Sequence, residues 1–572
     1  MNKKSFNLTT DPWIKVVEME TNKEKVVSLI ELFQSASEYR QLAGEMRSQD
    51  LSILRFLLAI VTTVYSRVDV DGNPYDWMKS RAKASNELEL NRKKIDKKKA
   101  RKSLLATWNK LYQSNRFSEA AIKYLNEYKN RFDLFGERPF YQVTAEDYDS
   151  LVPRNKRIST GSGQVAVRQI NRRISQSGNT AVIFSPKSDE LKDEVSLDEF
   201  VRWLITYQNY TGTTDKTKVV FDKTFTNKGW IYNMNPVFAE GRSLFETLML
   251  NLILVDERQE YSAQRPVWEF ESMSDYIDER KKLILPNNLA ELYTTWSRIL
   301  HVEWDALGMP KIFSAMIPMF ENKGAFVEPM TTWKFDEKAN EYQPEVKNTR
   351  SIGTAMWREF GQFVRVRTND NIHEPGIVGW LRTLKKEKLI WDKQLIVLDS
   401  VTLISDGKAS QSPLFEIIDN IQMQADVLFD LNETNRWTVR IEDVIKLTQG
   451  VGKDFESFLE DIGEIRGLNV NSFVIKMSSK FYDHLNESFR AWLENLTGDD
   501  DRDKKINDWK DDLKRIANME IEDIMRTSSP KDIQGIYTTE KKDKKKKDKN
   551  RYLNVFIAEN ELANCMRSHF NL

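Results

Sequence analysis

Phe6-Asn7-Leu8-Thr9-Thr10-Asp11-Pro12-Trp13-Ile14-Lys15-Val16-Val17 opens the chain. Asp-Pro marks a turn, and the run from Trp13 is apolar and β-branched enough to form a short strand. Val26-Val27 can pair with that strand across the polar Thr21–Glu24 segment. Ser28 then predicts a cap for a helix beginning Leu29-Ile30-Glu31-Leu32-Phe33. A second helix follows over Asp50–Arg67, where Leu51, Leu54, Leu57, Leu58 and Val61 recur at helical spacing. Strands and helices therefore alternate from the start.

The same mixture continues for most of the chain. Ser196–Tyr207 reads as a capped amphipathic helix and Ser243–Val255 as a strongly apolar one. Leu289–Glu303 and Gly353–Val364 are further helix candidates, and Leu395-Ile396-Val397-Leu398 is strand-like. Ser, Asp, Gly and Pro cluster at Ser405–Pro413 and mark a boundary. Beyond it the pattern is helical over Leu414–Leu431, Ile441–Val451, Phe455–Ile465, Phe473–Leu496, Ile506–Met525 and Asn554–Arg567. Long helices with short polar links suggest an antiparallel bundle. The fold class is α+β.

A chain of 572 residues is too long for one core, and two to four domains are expected. Fifteen Trp and 29 Phe exclude wholesale disorder. Lys plus Arg and Asp plus Glu both number 86, so nucleic-acid binding would have to come from local patches. The single cysteine, Cys565, excludes intrachain disulfides and a Cys-based zinc site and suits a reducing cytoplasm. The N-terminus lacks the apolar core of a signal peptide, and the longest apolar run, Phe56–Val64, is too short for a membrane span. A soluble cytoplasmic protein is expected.

One patch is conspicuous. Ser150–Ser188 holds Arg154, Lys156, Arg157, Arg168, Arg172, Arg173 and Lys187 and no acidic residue. It contains two flexible turns, Thr160-Gly161-Ser162-Gly163 and Ser175-Gln176-Ser177-Gly178-Asn179. Backbone N–H groups freed by glycine beside Arg side chains suit a polyanion, although a solvated loop is the alternative. Glu540–Tyr552 is a second patch, eight basic residues against three acids. Arg92–Lys102 is also basic, but a solvated helix face explains it slightly better than DNA contact. Phe132–Val143 is dense in aromatics and broken by Gly136 and Pro139. Its rings would either stack on bases and fill a partner's groove or belong to the core.

Catalytic patterns are missing. His301, His373, His484 and His569 stand singly, and Gly161-Ser162-Gly163 lacks the Lys-Ser/Thr of a phosphate-binding loop. Cys565 has no nearby base, and Asp499–Asp503 does not match a calcium loop. No catalytic residue, metal or cofactor is expected.

Several segments together resemble the CasA family, the large subunit of the type I-E CRISPR surveillance complex, Cascade. They are Asn7-Leu8 with Pro12–Val16, the Leu29–Phe33 helix, Ile53–Ile60, Pro139-Phe140-Tyr141-Gln142, and Ile174–Phe184 with its glycine loop. The resemblance implies a mixed α/β domain with DNA-facing loops over residues 1–405 and a C-terminal four-helix bundle over 413–572. It implies no catalysis. Guide-RNA pairing reads most of the target in such complexes, and protein reads the short flanking motif (PAM). Here the large subunit would read it from the minor groove, help open the duplex and recruit a separate helicase–nuclease.

The implied partners are guide RNA (crRNA), double-stranded target DNA, and the backbone, handle-binding and small subunits of Cascade. Ser177, Gly178 and Asn179, with Arg172 and Arg173, would meet the flanking motif. The narrow minor groove admits a backbone without a side chain and offers a degenerate code. Lys541, Lys542, Lys544, Lys545, Lys546, Lys547 and Lys549 would hold phosphates without reading bases. Phe132, Phe135, Pro139, Phe140, Tyr141 and Gln142 would dock at the guide-RNA handle. The paired-cysteine zinc knuckle of some relatives is impossible here, and no motif places the lysine finger or glutamine wedge, although Lys281-Lys282 and Gln362 lie in suitable regions. The rival readings are a stand-alone DNA-binding regulator, which lacks a clear helix-turn-helix, and a nucleic-acid enzyme with a diffuse active site.

Overall fold

The computed structural model describes residues 5–80, 88–171, 187–212, 216–220, 228–255, 264–366, 371–404, 415–430, 432, 435–540 and 549–570. The chain divides into two compact units. One comprises Met1–Ile352, Asn369–Leu389 and Leu398–Asp419; the other comprises Gly353–Thr368, Ile390–Val397 and Asn420–Leu572.

The first unit begins as the opening residues predict. Ile14–Glu18 pairs antiparallel with Glu24–Val27, Ile14 opposite Val27, and with Tyr39–Leu42 on its other edge. The Ser28 hydroxyl accepts from the Glu31 N–H at 3.2 Å and starts the Leu29–Ser35 helix. Helix Arg47–Arg67 then crosses the middle of the unit, buried along nearly its whole length. A helix this apolar on all sides needs a core around it. Its most deeply buried charge, Arg55, is matched by Glu328, whose carboxylate accepts from the guanidinium at 3.0 and 2.8 Å and from the Trp230 indole at 2.7 Å.

Two expectations of helix fail. Leu289–Glu303 is not one helix: a short helix, Leu289–Tyr293, gives way to the strand Arg298–Trp304. The Thr294 hydroxyl turns back onto the Ala290 carbonyl at 2.8 Å, and Arg298–Trp304 pairs residue for residue with Pro310–Met316. Partner strands override a marginal helical period. Likewise the segment read as helix over Leu414–Leu431 contains the strand Phe415–Gln424 and then only the short helix Ala425–Leu428. Phe415–Gln424 lies beside Leu395–Ile404, which also neighbours Val237–Glu240. The expected boundary, Ser405–Pro413, lies outside the described residues.

In the second unit, four helices pack as a bundle: Trp437–Arg466, Val470–Glu494, Arg502–Arg526 and Val555–Phe570. The stretches read as two helices, Ile441–Val451 and Phe455–Ile465, are a single one. Gly452 does not break it. A Cβ there would come within 2.3 Å of the Tyr482 hydroxyl, so this glycine lets the second helix approach. Gly353–Val364 forms two short turns, Met356–Glu359 and Phe360–Phe363, in place of the expected helix. Within it Trp357 stacks on Phe489 at 4.1 Å between centroids and donates to Asn486 at 2.9 Å.

Candidate nucleic-acid interface

The acid-free window enters the structure through two 3-10 turns, Arg154–Lys156 and Ile158–Thr160. The Ile158 N–H donates to Asp149 at 2.8 Å, which ties the second turn to the preceding helix Ala145–Leu151. Gly163, at φ +81°, then closes onto the sheet. A Cβ would sit 3.0 Å from the Thr217 hydroxyl and 3.2 Å from that of Tyr148, and only glycine takes this backbone without strain. Gln164–Val165 continues as an edge strand beside Pro310–Met316.

Geometry sorts the window's seven cations. Arg168 faces Asp193 at 3.6 Å, and Lys187 bonds Glu199 at 3.0 Å and the Glu194 carbonyl at 2.7 Å. Both acids lie just past the window, so these two charges are locally compensated. Arg154 and Arg157 are exposed, Lys156 is half-buried, and none of the three forms an ion pair with a described residue. They are the described cationic surface here. By sequence they are three of the window's seven cations, with nothing to set them apart as contacts. Arg172, Arg173, Ser177, Gly178 and Asn179 lie outside the described residues.

The Phe132–Val143 loop has a different character. Phe132, Phe140, Tyr141 and Gln142 are all buried. Phe56, next to Arg55 on the central helix, meets Phe132, Phe140, Tyr141, Trp268 and Trp13 at centroid distances of 5.4–6.5 Å. The opening segment clamps the loop by Leu8 N–H to Phe132 O at 2.8 Å and Leu134 N–H to Phe6 O at 2.9 Å. Gln142 spends its amide on the Leu134 and Phe140 carbonyls. In this chain the rings and amide of these four residues build the core, where apolar transfer and aromatic packing hold them. Phe135 and Pro139 are half-buried, and Glu137 and Arg138 are exposed at the tip.

The third basic segment joins two strands. Ile536–Glu540 and Lys549–Leu553 form an antiparallel hairpin, with Glu540 opposite Lys549. Lys541, Lys542, Lys544, Lys545, Lys546 and Lys547 lie in the part outside the described residues. Thr538 donates to Glu464 at 2.9 Å, and Arg551 reaches Asp461 at 3.2 Å and also pairs with Glu561. The hairpin is thereby fastened to the first and fourth bundle helices. Of the two residues considered for the lysine finger, Lys281 pairs with Asp278 at 2.8 Å and Lys282 ends the helix Met273–Lys282, exposed. Gln362 lies half-buried in the Phe360–Phe363 turn.

Among the described residues no group of His, Cys, Asp and Glu could hold a metal ion, and no helix is long and apolar enough to cross a membrane.

Comparison with known proteins gives a consistent picture. The CRISPR-associated protein Cse1 family model matches residues 7–519. No curated protein matches the chain. Among solved structures, Cse1 from Thermobifida fusca is similar at a TM-score of 0.73 and 19% identity, covering 99% of this chain and 97% of its own. Cse1 from Acidimicrobium ferrooxidans gives 0.71 and 17%, covering 100% and 99%. A chain of a CRISPR RNA-guided surveillance complex gives 0.63 and 15%, covering 99% of each. At these identities the likeness is one of fold, and the family match runs through nearly the whole chain: the protein belongs to the CRISPR-associated protein Cse1 family.

Proposed function

We propose that this chain is the large, non-catalytic subunit of an RNA-guided DNA surveillance complex of the Cascade type, working in the cytoplasm. The observation that carries this reading is the match to the Cse1 family over residues 7–519. The full-length likeness to a chain of an RNA-guided surveillance complex supports it. So do exposed Arg154 and Arg157 and half-buried Lys156, which form no ion pair with a described residue and precede the glycine loop in sequence.

In this reading guide RNA supplies sequence recognition and the protein reads the flanking motif of the target duplex. Gly178, with Ser177 and Asn179, enters the minor groove, where a side chain would collide with sugars or base edges. Arg172, Arg173 and the Arg154–Arg157 turn neutralise phosphates on either side. The lysines at 541, 542, 544–547 and 549 hold duplex phosphates without base preference. The loop tip with Phe135, Glu137, Arg138 and Pro139 docks near the guide-RNA handle and neighbouring subunits. The subunit helps open the duplex and recruits a separate helicase–nuclease, and it cuts nothing itself.

The test is target binding by the reassembled complex with Gly178→Asp, beside a melting curve of the same preparation. Asp adds bulk and a charge that the phosphates repel, so recognition of flanked targets should be abolished with Tm unchanged. A Gly178→Asp complex that binds flanked targets as well as wild type overturns the assignment.

A further inference from the structure

The hairpin Ile536–Leu553 presents two unlike faces. Side chains alternate along a strand, so Thr538, Arg551 and Leu553 lie on one side and the cross-strand pair Tyr537–Tyr552 on the other. The first side is bonded to the bundle through Glu464, Asp461 and Glu561, and Leu553 is fully buried. The second side faces out. Tyr537 is 80% exposed and Tyr552 41%, their centroids 5.4 Å apart and the rings inclined at 54°. The Tyr552 hydroxyl donates to the Gln534 carbonyl at 2.5 Å, which fixes the lower ring. An isolated two-stranded hairpin is marginal in water. Here ion pairs to two helices hold it and keep an aromatic pair in solvent. The residues that connect its strands, 541–548, carry six lysines against two aspartates. The Cse1 family match stops at residue 519, so the whole hairpin lies beyond it.

We infer that the outer face of this hairpin is a stacking platform for single-stranded DNA without base preference. The inference rests on the DNA-directed reading above. A base freed from its partner stacks on the open face of Tyr537, and the lysine-rich sequence beyond it attracts the adjoining phosphates. A base inside a duplex has both faces covered by its neighbours, so Tyr537 adds nothing there, whereas lysines attract either form. The hairpin therefore favours single strands. An acidic protein partner would satisfy the lysines but would give the exposed ring pair no role.

The full chain, without other subunits, is titrated against a labelled oligothymidylate of about 20 nucleotides and a blunt duplex of equal length, across a range of salt. Tyr537→Ala should weaken oligothymidylate binding about tenfold, the scale of losing one base–aromatic stack. It should leave duplex binding and the slope of log K against log salt as in wild type. Tyr537→Trp should restore the single-strand affinity. Replacing Lys541, Lys542 and Lys544–Lys547 with Gln should weaken both ligands and flatten the slope. The proposal is overturned if Tyr537→Ala binds oligothymidylate like wild type, or if it loses single strand and duplex in equal proportion. Because the measurement needs no assembled complex, failure of the chain to join one would remove the reading above and leave this result standing. An unaffected Tyr537→Ala would remove the stacking platform and leave flanking-motif recognition intact.

Discussion

The Phe132–Val143 loop and the Ile536–Leu553 hairpin each set aromatic rings a few residues from basic side chains. In the loop, Phe132, Phe140 and Tyr141 close around Phe56 and leave Glu137 and Arg138 exposed at the tip. In the hairpin, Arg551 and Leu553 face inward while Tyr537 stands in solvent. What separates them is the surface each meets. The loop lies on an apolar helix, to which rings contribute most by burial. The hairpin lies on helix faces carrying Asp461, Glu464 and Glu561, which select its cationic and polar side and turn the rings outward.

Truncating a ring on each side is the severest way to break this contrast. Phe140→Ala should cost about 3–5 kcal/mol of stability, as for other buried aromatics, and lower the melting temperature accordingly. Tyr537→Ala should stay within about 0.5 kcal/mol of wild type. Equal melting shifts would erase the distinction.

Acid attacks the loop's side of the comparison next. Burial by itself would raise the Glu45 carboxyl, but Arg202 and Lys15 hold it down to about 2. Arg202 also donates to the Trp13 carbonyl at 2.7 Å, and the Trp13 ring meets Phe56. A carboxyl depressed in the folded state contributes stability above its unfolded value of about 4.3 and loses it as pH falls toward 2. Glu45→Gln should therefore cost about 3 kcal/mol at neutral pH, since it leaves buried Arg202 short of a partner. It should flatten the acid limb of a denaturation profile between about pH 5 and 2. A variant that keeps the wild-type acid limb would show that this clamp is not what acid releases.

A smaller effect is expected at the hairpin's anchor. Arg551 is partly exposed, so its pairs with Asp461 and Glu561 contribute about 1 kcal/mol or less. Arg551→Met should speed amide exchange along Ile536–Glu540 while leaving the Ile14–Glu18 ladder protected. Uniform acceleration in both places would mean that global unfolding was being read. Smallest for stability is Arg138→Glu at the loop tip, within about 0.5 kcal/mol of wild type. Its expected consequence is weaker association with the guide-RNA-bearing assembly, measured by co-purification. Intact association would leave the tip without a docking role.

Local chemistry made the first part of the fold legible. Asp11-Pro12 announces a turn, Ser28 and Ser196 accept from N–H groups three residues on, and alternation places Val26-Val27 against Ile14 and Lys15. Arg298–Trp304 and Phe415–Gln424 were not legible, because strand partners distant in sequence decide them. The candidate site divides in the same manner. Counting charges exposed the basic window, yet Arg168 and Lys187 are compensated by Asp193 and Glu199, whose approach only folding reveals. Aromatic density in the loop carried no sign of Phe56 opposite, so it could not distinguish core from surface.

Trp357 has a consequence for how the protein is made. It is part of the second unit, stacked on Phe489, although more than a hundred residues must follow it before that partner exists. At about 5–20 residues per second, a ribosome exposes this indole for many seconds before the bundle's second helix emerges. A nascent chain stalled in that interval presents an unsatisfied apolar ring to chaperones. A recombinant bundle begun after residue 413 would lack the ring altogether, leaving Phe489 without its lid and Asn486 without its donor.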